Sequence, residues 1–450
     1  MLLIKNAYLI EPSVSPINKS GTGPVSVRAP LESEEACDGP ADLLVDEKGI
    51  LSSGKKVKAE DYPEAEVIDA EGLCLAPGLI DIHVHFRDPG FPDKETAETG
   101  AGAAAAGGVT SVVCMANTIP PFDRPDRLME FLHRTERLPI HLYQASTVTE
   151  GRAGKRLVDM AAMKEAGALL FTDDGSPLMD RDLVREAMRE AAALGVPISF
   201  HEEDPAFVGV AGINEGRVSK AMGLKGADRR AEISMVDRDI ELAFQTGCQI
   251  DIQHISARET VELIRQARRD DSGGLIHAEA TPNHFSLTEE AVEAYGSLVK
   301  INPPLRTEDD RQAIIEGIAD GTIDLIVTDH APHTSEEKKR EFPKAPSGII
   351  GLETALSLGL LNLVEPGYLT LQELMERMSL GPAEFLGLKG GSLKAGRPGD
   401  LVIFDPKAFT DYSRFESRSE NSPFRGKTLP GRVLYTIADG EIIYRKESRN

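Results

Sequence analysis

The segment from residue 83 to residue 87 holds the residues with the clearest capacity for chemistry. His83, His85 and Arg87 alternate at the end of an apolar run. Because side chains two positions apart in a strand point to the same face, two imidazoles and a guanidinium would share one wall of a pocket. A lone His-x-His pair also occurs on solvated strand faces, so its meaning depends on the residues that accompany it.

Four further polar residues end other apolar runs of the chain. They are Asp174, His201, His254 and Asp329. Each alone could cap or pack a strand end, but together with the first pair they indicate one shared site. Imidazole and carboxylate groups suit zinc or a similar divalent metal, and four histidines with two aspartates can hold two ions that share a bridging carboxylate.

A metal pair of this kind predicts hydrolytic chemistry. Two ions about 3.5–4 Å apart lower the pKa of a bound water and polarise a substrate oxygen. Asp329 is the predicted catalytic acid/base, because an aspartate beside a metal can take the proton and pass it to the leaving nitrogen. Arg87 is a basic group that would receive an anionic substrate. Asp173, next to Asp174, is predicted to be structural.

The elements that would position these residues are eight short apolar runs separated by amphipathic stretches. The runs span residues 79–86, 109–117, 140–147, 168–174, 197–202, 249–256, 275–281 and 323–330. Helices are predicted over residues 127–137, 157–165, 181–194, 235–245, 259–268 and 310–319. This alternation predicts an α/β fold, a (β/α)₈ TIM-like barrel with catalytic groups at the C-terminal ends of its strands. A doubly wound open sheet is the alternative, but no glycine-rich phosphate loop follows the first run.

The two ends of the chain lack this alternation. Short β-like runs broken by glycine predict one small β-sandwich domain made of residues 1–72 and 391–450, beside a catalytic barrel of residues 73–390. Residues 12–40, rich in Ser, Pro, Gly and Glu, are predicted to form a surface insertion.

Composition excludes several classes of function. The 450 residues are 41% hydrophobic and 27% charged, with no apolar run long enough to span a bilayer. Acidic residues outnumber basic ones by 73 to 50, and a net charge of -23 argues against nucleic acid as the partner. No secretory signal begins the chain, which predicts a cytoplasmic protein. The scattered cysteines fit neither a disulfide framework nor a thiolate zinc site; they are Cys37, Cys74, Cys114 and Cys248.

Five motifs occur in a fixed order along the chain: DIHVHFRDPG, MANTIPP, FTDDG, NPPLR and TDHAPH. With them, the sequence resembles the class I dihydroorotases of the amidohydrolase superfamily over essentially its whole length. The resemblance implies a distorted (β/α)₈ barrel. It also implies the reversible, zinc-dependent cyclisation of N-carbamoyl-L-aspartate to L-dihydroorotate in pyrimidine biosynthesis.

The same resemblance assigns metal ligands. It implies that His83, His85, Asp174 and Asp329 surround one zinc, and that Asp174, His201 and His254 serve a second where two are bound. Many relatives bridge their metals with a carboxylated lysine, but the fourth run offers two aspartates and no lysine. Asp174 is therefore the expected bridge, and whether one or two ions bind is left open.

Substrate-binding residues also follow from the resemblance. Arg87, Asn117 and His333 are expected around the substrate carboxylate, and His85 is also expected to bind the substrate. Asn302 and the backbone around Ser347 and Gly348 are expected to hold the amides of the pyrimidine ring. From the residues alone, Asn117 would be a strand-end turn residue and Asn302 a neighbour of proline.

Two other functions stay open. A hydantoinase or allantoinase would share the strand-end ligands but would usually carry the lysine bridge and lack the Arg87 clamp. A non-catalytic, dihydroorotase-like scaffold of aspartate transcarbamoylase would have lost ligands, whereas every ligand position is filled here. The expected partners are a small-molecule substrate, a second copy of the chain in a homodimer, and aspartate transcarbamoylase. The charged segment 331–351 is either a cover for the substrate or a solvated face.

Overall fold

The computed structural model describes residues 1–12, 39–54 and 56–446. Most of the predicted insertion at 12–40, including Cys37, lies outside these residues. The strands of the described ranges are β1 (Leu2–Leu9), β2 (Ala41–Asp46), β3 (Gly49–Ser53), β4 (Glu66–Asp69), β5 (Cys74–Pro77), β6 (Leu79–Val84), β7 (Val109–Cys114), β8 (His141–Gln144), β9 (Ile198–Phe200), β10 (Ile250–Ile252), β11 (Ile276–Ala280), β12 (Leu325–Ile326), β13 (Leu401–Asp411), β14 (Thr428–Ala438) and β15 (Glu441–Arg445).

Strands β6 to β12 form the wall of the barrel. β6, β7 and β8 make one parallel sheet, and β9 to β12 make a second in the order β12-β11-β10-β9. Single parallel bridges, Ser146 with Phe171, Phe171 with Ile198 and Val84 with His330, join the two sheets at both ends. The predicted α/β, TIM-like fold class is thus confirmed. The fourth run contributes only the bridge residue Phe171, which is where the barrel is distorted.

Helices follow most strands of the wall. They are α1 (Ala97–Ala106), α2 (Pro125–Thr135), α3 (Met160–Glu165), α4 (Arg181–Leu194), α5 (Arg217–Ala221), α6 (Arg230–Thr246), α7 (Arg258–Asp270), α8 (Pro282–Ser286), α9 (Ala291–Tyr295), α10 (Glu308–Asp320), α11 (Ser335–Lys338), α12 (Ala355–Gly359), α13 (Leu371–Met375) and α14 (Gly381–Leu386). Each of the six predicted helices overlaps one of these, and the prediction at 181–194 matches α4 at both ends.

Helix α4 shows how the sequence sets these boundaries. The Asp180 side chain accepts hydrogen bonds from the backbone N–H groups of residues 182 and 183, which satisfies two free donors at the N-terminus. Gly195, with φ of 64°, ends the helix in the left-handed conformation. Val184, Ala187, Met188 and Ala191 recur at helical spacing and are fully buried, so one face of α4 packs on the barrel.

The two chain ends form a single mixed sheet. Its hydrogen-bonded order is β15-β14-β13-β5-β1-β2-β3, with β4 paired to β1. The sheet surrounds its own small apolar cluster, which includes Ile4, Leu43 and Ile403, apart from the large barrel core. This is the predicted β domain from both termini, and its boundaries at residues 72/73 and 390/391 stay predictions. Helices of the described ranges are all too short or too polar to cross a bilayer.

Candidate metal centre

Strand β6 delivers the first two histidines to the C-terminal mouth of the barrel. The rings of His83 and His85 have centroids 5.4 Å apart, and both side chains are buried. His83 Nε2 lies 3.7 Å from Asp174 Oδ1 and 3.7 Å from Asp329 Oδ1. His85 Nε2 lies 3.0 Å from Asp329 Oδ1 and 3.6 Å from Asp174 Oδ2. The four residues expected around one ion therefore converge.

The remaining two histidines lie on the other side of Asp174. His201 Nδ1 is 3.5 Å from Asp174 Oδ1 and 3.1 Å from His254 Nε2. The His254 ring is also close to His83, with centroids 5.2 Å apart. Asp174 thus lies between the two predicted ligand groups, in the position that a bridging carboxylate requires. The structure brings all six predicted ligands together, although their roles as ligands stay predictions.

The donor set fits a divalent cation. His83 Nε2 and His254 Nδ1 are buried and have no hydrogen-bond partner among the described residues, which is costly unless a cation or water meets them. Burial favours the neutral form of His83, but Glu279, Asp174 and Asp329 outweigh it and raise the pKa of His83 to about 10. A pocket that binds a proton this tightly has an excess of negative charge, which a metal ion can neutralise.

The pKa values of three other predicted ligands are also shifted by the charges of their neighbours. Burial acts to raise the pKa of Asp174, but the His201 hydrogen bond and the charges of His85 and His83 hold it well below its usual range. Burial acts against the charged form of His201, yet Asp174 and Glu203 raise its pKa to about 9. Burial, then the charges of His201 and His83, hold the pKa of His254 well below the ordinary value.

A buried acid that the sequence did not indicate orients His83. Glu279, on β11, is fully buried and its Oε2 accepts a hydrogen bond from His83 Nδ1 at 2.9 Å. The proton on Nδ1 leaves Nε2 free to face Asp174 and Asp329. Behind it, burial and the charge of Glu279 raise the pKa of Asp251 well above its usual range, and Asp251 Oδ2 accepts from Ser199 Oγ at 2.6 Å.

Replacing Glu279 by glutamine is expected to weaken metal binding by about 10–100-fold, because a neutral amide holds the His83 ring less firmly. Competition with a chromophoric chelator measures this change. Glu289→Gln is the matched control, since Glu289 is a buried carboxylate that bonds Asn214 instead of a predicted ligand. Equal affinities in Glu279→Gln and the unaltered protein would contradict the role of Glu279.

Backbone strain marks the same place. Among the described residues, six that are not glycine have positive φ, and four of them border the pocket: Arg87 (57°), Arg152 (56°), His254 (32°) and Asp329 (47°). Such conformations cost on the order of 1–3 kcal/mol each and concentrate at functional sites. The tertiary structure therefore holds two predicted ligands and the predicted carboxylate clamp in otherwise disfavoured conformations.

Arg87 and His333 lie side by side at the rim. Arg87 Nη2 is 3.2 Å from His333 Nε2, and Arg87 Nε donates to Pro332 O at 3.3 Å. His333 Nε2 donates to Ser347 O at 2.8 Å, while Nδ1 lies 3.2 Å from Lys94 Nζ. Burial, then the charges of Arg87 and Lys94, lower the pKa of His333 to about 2, so this imidazole is neutral.

Asn117 uses its side chain on two predicted ligands. Its Oδ1 accepts from His85 Nδ1 at 2.9 Å, and its Nδ2 donates to Asp174 Oδ2 at 2.8 Å. These contacts fix the tautomer of His85 with Nε2 toward Asp329. Asn117 therefore contacts two of the predicted metal ligands, and its role in substrate binding stays a prediction.

The residues expected to hold the ring amides are also adjacent. Ser347 Oγ donates to Asn302 Oδ1 at 3.0 Å, and Ser347 lies beside His333. Gly348 has φ of 146°, and a Cβ there would lie 2.7 Å from Ala331 O. Only glycine fits this position, because both its conformation and its close contact with Ala331 exclude a side chain.

Arg152 is a second residue that the sequence did not indicate. Its Nη2 donates to Asp174 O and, at 3.0 Å, to Ser176 Oγ. It therefore holds the turn that presents Asp174. No sequence signal distinguished it from a surface arginine.

Asp173, His330 and His284 make structural contacts. Asp173 accepts from the backbone N–H groups of Val148 and Thr149, which agrees with its predicted structural role. His330 is buried with Nε2 3.3 Å from Glu95 Oε2. His284 lies between Thr281 Oγ1 and Pro303 O.

Comparison with known proteins decides the family. Residues 72–260 match the family model described as dihydro-orotase-like. A dihydroorotase of Clostridioides difficile (strain 630) is 48% identical over 444 residues, covering 99% of this chain and 100% of that protein. The chain belongs to the dihydroorotase family. A dihydroorotase of Clostridium acetobutylicum is 46% identical, with 99% of both chains covered. The resemblance seen in the motifs is thus confirmed.

Solved structures named as hydantoinases and dihydropyrimidinases share the fold of this chain. L-hydantoinase (dihydropyrimidinase) from Arthrobacter aurescens has a TM-score of 0.81 at 27% identity, covering 99% of this chain and 96% of that one. Dihydropyrimidinase from Brevibacillus agri NCHU1002 has a TM-score of 0.79 at 21% identity, covering 99% and 95%, and supports the fold alone. The fold class predicted from the strand-helix alternation is confirmed.

Proposed function

We propose that this chain is a zinc-dependent dihydroorotase that interconverts N-carbamoyl-L-aspartate and L-dihydroorotate, the ring-closing step of pyrimidine biosynthesis. The observation that carries the proposal is the convergence of the imidazoles and carboxylates at one barrel mouth with the Arg87 guanidinium at its rim. Relatives 44–48% identical over nearly the whole chain are named dihydroorotase, which supports the same reaction.

The proposed metal ligands follow the two groups around Asp174. His83, His85, Asp174 and Asp329 would hold one zinc, and Asp174, His201 and His254 a second. Zinc suits the site because four imidazoles, which become neutral ligands when a metal displaces their protons, and two carboxylates match its preference for nitrogen and oxygen ligands. When bound, the metal supplies Lewis acidity toward water and the substrate carbonyl.

Asp329 is the proposed proton carrier. Its Oδ1 contacts His85 Nε2 at 3.0 Å, and its side chain is 15% exposed, so it faces both the ligands and the open side of the pocket. In the hydrolytic direction an Asp329 oxygen accepts the proton of the attacking water and delivers it to the amide nitrogen that leaves. In the ring-closing direction it takes the proton from the attacking carbamoyl nitrogen and delivers it to the side-chain carboxyl oxygen, which leaves as water when its bond to carbon breaks.

The rim residues recognise the rest of the substrate. Arg87 can bind the α-carboxylate through two parallel N–H donors, and neutral His333 keeps the neighbouring backbone in place without adding a charge. Asn302, Ser347 and Gly348 lie where the ring amides would be held, and Asn117 fixes His85 beside them.

Between about pH 5 and pH 8, the KM for dihydroorotate is expected to show no pH dependence that arises from protonation of His333. Because its pKa is lowered to about 2, His333 stays neutral above that value and loses its contacts only below it. KM measured across this range in the unaltered protein and in His333→Asn tests the expectation. An inflection near pH 6.5 present in the first and missing from the second would contradict it.

A side-by-side turnover assay with dihydroorotate, hydantoin and allantoin, with metal content measured on the same sample, tests the proposed function. Preference for dihydroorotate is expected, because the Arg87 clamp needs a ring carboxylate that hydantoin and allantoin lack. Preference for hydantoin would replace the proposal with a different cyclic amidase. No turnover of any of the three would favour the non-catalytic scaffold.

Assembly and location belong to the proposal as well. A homodimer, association with aspartate transcarbamoylase and a cytoplasmic location stay predictions from the sequence and its resemblance. Of the expected partners, the proposed reaction requires only the small-molecule substrate.

A further inference from the structure

The connection between β13 and β14, residues 412–427, leaves the terminal sheet and packs against the mouth of the barrel. Within it we call residues 417–421 the clamp segment. Ser417, Ser419 and Asn421 are all buried, although they belong to a connection between surface strands. A buried polar segment needs partners for its hydrogen-bonding groups, and those partners lie on the barrel.

One end of the clamp segment binds the loop that follows Arg87. Ser417 Oγ and the Arg418 N–H both donate to the fully buried carboxylate of Glu95, the latter at 3.0 Å. Ser419 Oγ donates to Lys94 O at 2.7 Å. Lys94 also contacts His333, so this end already reaches the carboxylate pocket.

The other end binds two more loops through one side chain. Asn421 Nδ2 donates to Ala331 O and to Gly348 O, both at 3.0 Å. Asn421 Oδ1 accepts from the backbone N–H of His333 at 3.0 Å, and Asn421 O accepts from Ile350 N–H at 3.1 Å. Every polar atom of this side chain is used between the loop after β12 and the loop around Gly348.

We propose that Asn421 is a positioning residue that holds the loops of His333 and Gly348 in register for substrate binding. Arg87 Nε donates to Pro332 O, and His333 Nε2 donates to Ser347 O, so both substrate-facing loops depend on the segment that Asn421 fixes. Asn421 contacts none of the six predicted metal ligands. This inference rests on the proposed function and adds to it a residue from outside the barrel.

The contacts of Asn421 also restrict the movement of segment 331–351. Gly348 O accepts a second hydrogen bond from Lys338 Nζ at 2.9 Å, and Ala331 N–H donates to Ile349 O at 2.9 Å. A segment held by these hydrogen bonds forms a fixed wall of the pocket. Asn421 supplies its contacts from the connection between β13 and β14, outside the barrel.

Steady-state kinetics of Asn421→Asp with dihydroorotate test the inference. Aspartate keeps the shape and the acceptor but turns an oxygen toward two carbonyls, so KM is expected to rise on the order of tenfold or more. The kcat is expected to change by less than about threefold and the bound metal to stay the same, because the proton carrier and ligands are untouched. An unchanged KM, or a loss confined to kcat, would overturn the proposal.

Asn362→Asp is the matched control. Asn362 Nδ2 also donates two hydrogen bonds, to Ser286 Oγ and Leu358 O, both at 2.9 Å, but away from the pocket. Its KM is expected to equal that of the unaltered protein. A KM increase of the same size in both variants would show that any lost asparagine contact has this effect, and would overturn the specific role of Asn421.

Hydrogen exchange of the unaltered protein requires no variant. Saturating dihydroorotate is expected to slow exchange at the amides of His333 and Ile350, which both donate to Asn421, relative to amides in the terminal sheet. No change at these two amides would overturn the proposal even if the variants do not fold. A protein that turned over hydantoin but not dihydroorotate would instead refute the proposed function.

Discussion

Replacing Asp329 by alanine is expected to reduce kcat by about 10²–10⁴-fold, the range associated with loss of general acid/base catalysis. The metal content is expected to remain, since His83, His85 and Asp174 still surround the first ion and the second group is unchanged. Turnover of dihydroorotate in both directions and metal analysis of the same preparation give the two quantities. Turnover near that of the unaltered protein would eliminate Asp329 as the proton carrier.

Asp439→Asn provides the comparison for this variant. Asp439 lies in the turn between β14 and β15 with a positive φ of 48°, a conformation that asparagine tolerates, and its side chain is 67% exposed. Its kcat is expected to be unchanged. Comparing the kcat values of the two variants separates the effect of losing the Asp329 carboxylate from the general effect of removing a negative charge from an acidic chain.

Removing the metal is expected to abolish turnover completely. A chelator would leave the excess negative charge around His83 to be met by protons, and the electrophile needed at the substrate carbonyl would be gone. Adding zinc to the stripped protein is expected to restore activity. Activity before and after each step, with metal content, is the measurement.

Magnesium is the matched control in that experiment. It prefers six oxygen ligands in octahedral geometry, which a pocket with four imidazoles does not supply, so it is expected to restore little activity. Full turnover by a preparation free of metal would contradict the mechanism, and equal rescue by magnesium would contradict the choice of zinc.

Most of the site could be predicted from sequence because its residues follow the C-terminal ends of barrel strands. His201 and His254 end separate apolar runs, and parallel strands of a barrel deliver their C-terminal ends to one mouth. The topology alone therefore predicts that the two side chains lie close together. In the structure His201 Nδ1 is 3.1 Å from His254 Nε2. The fold was predictable for the same reason, because period and spacing of the runs repeat eight times.

Residues that act through long-range contacts were not predictable in this way. Glu279 is in a strand that carries none of the six predicted ligands, and it contacts His83 across 196 positions of sequence. Glu279 stands out in the sequence as a charged residue inside the apolar run 275–281. Only the packing of the folded chain shows which group its charge neutralises. Asn421 and Arg152 lie in irregular connections, where no periodicity fixes the direction of a side chain.

The aspartate at position 174 has a consequence for how the centre is assembled. A lysine bridge becomes a ligand only after it has reacted with carbon dioxide, whereas Asp174 is already an anionic ligand, held by Asn117 Nδ2. Under the proposed assignment, reconstitution of the stripped protein needs the cation alone. Its rate should be the same in degassed buffer and in buffer rich in bicarbonate.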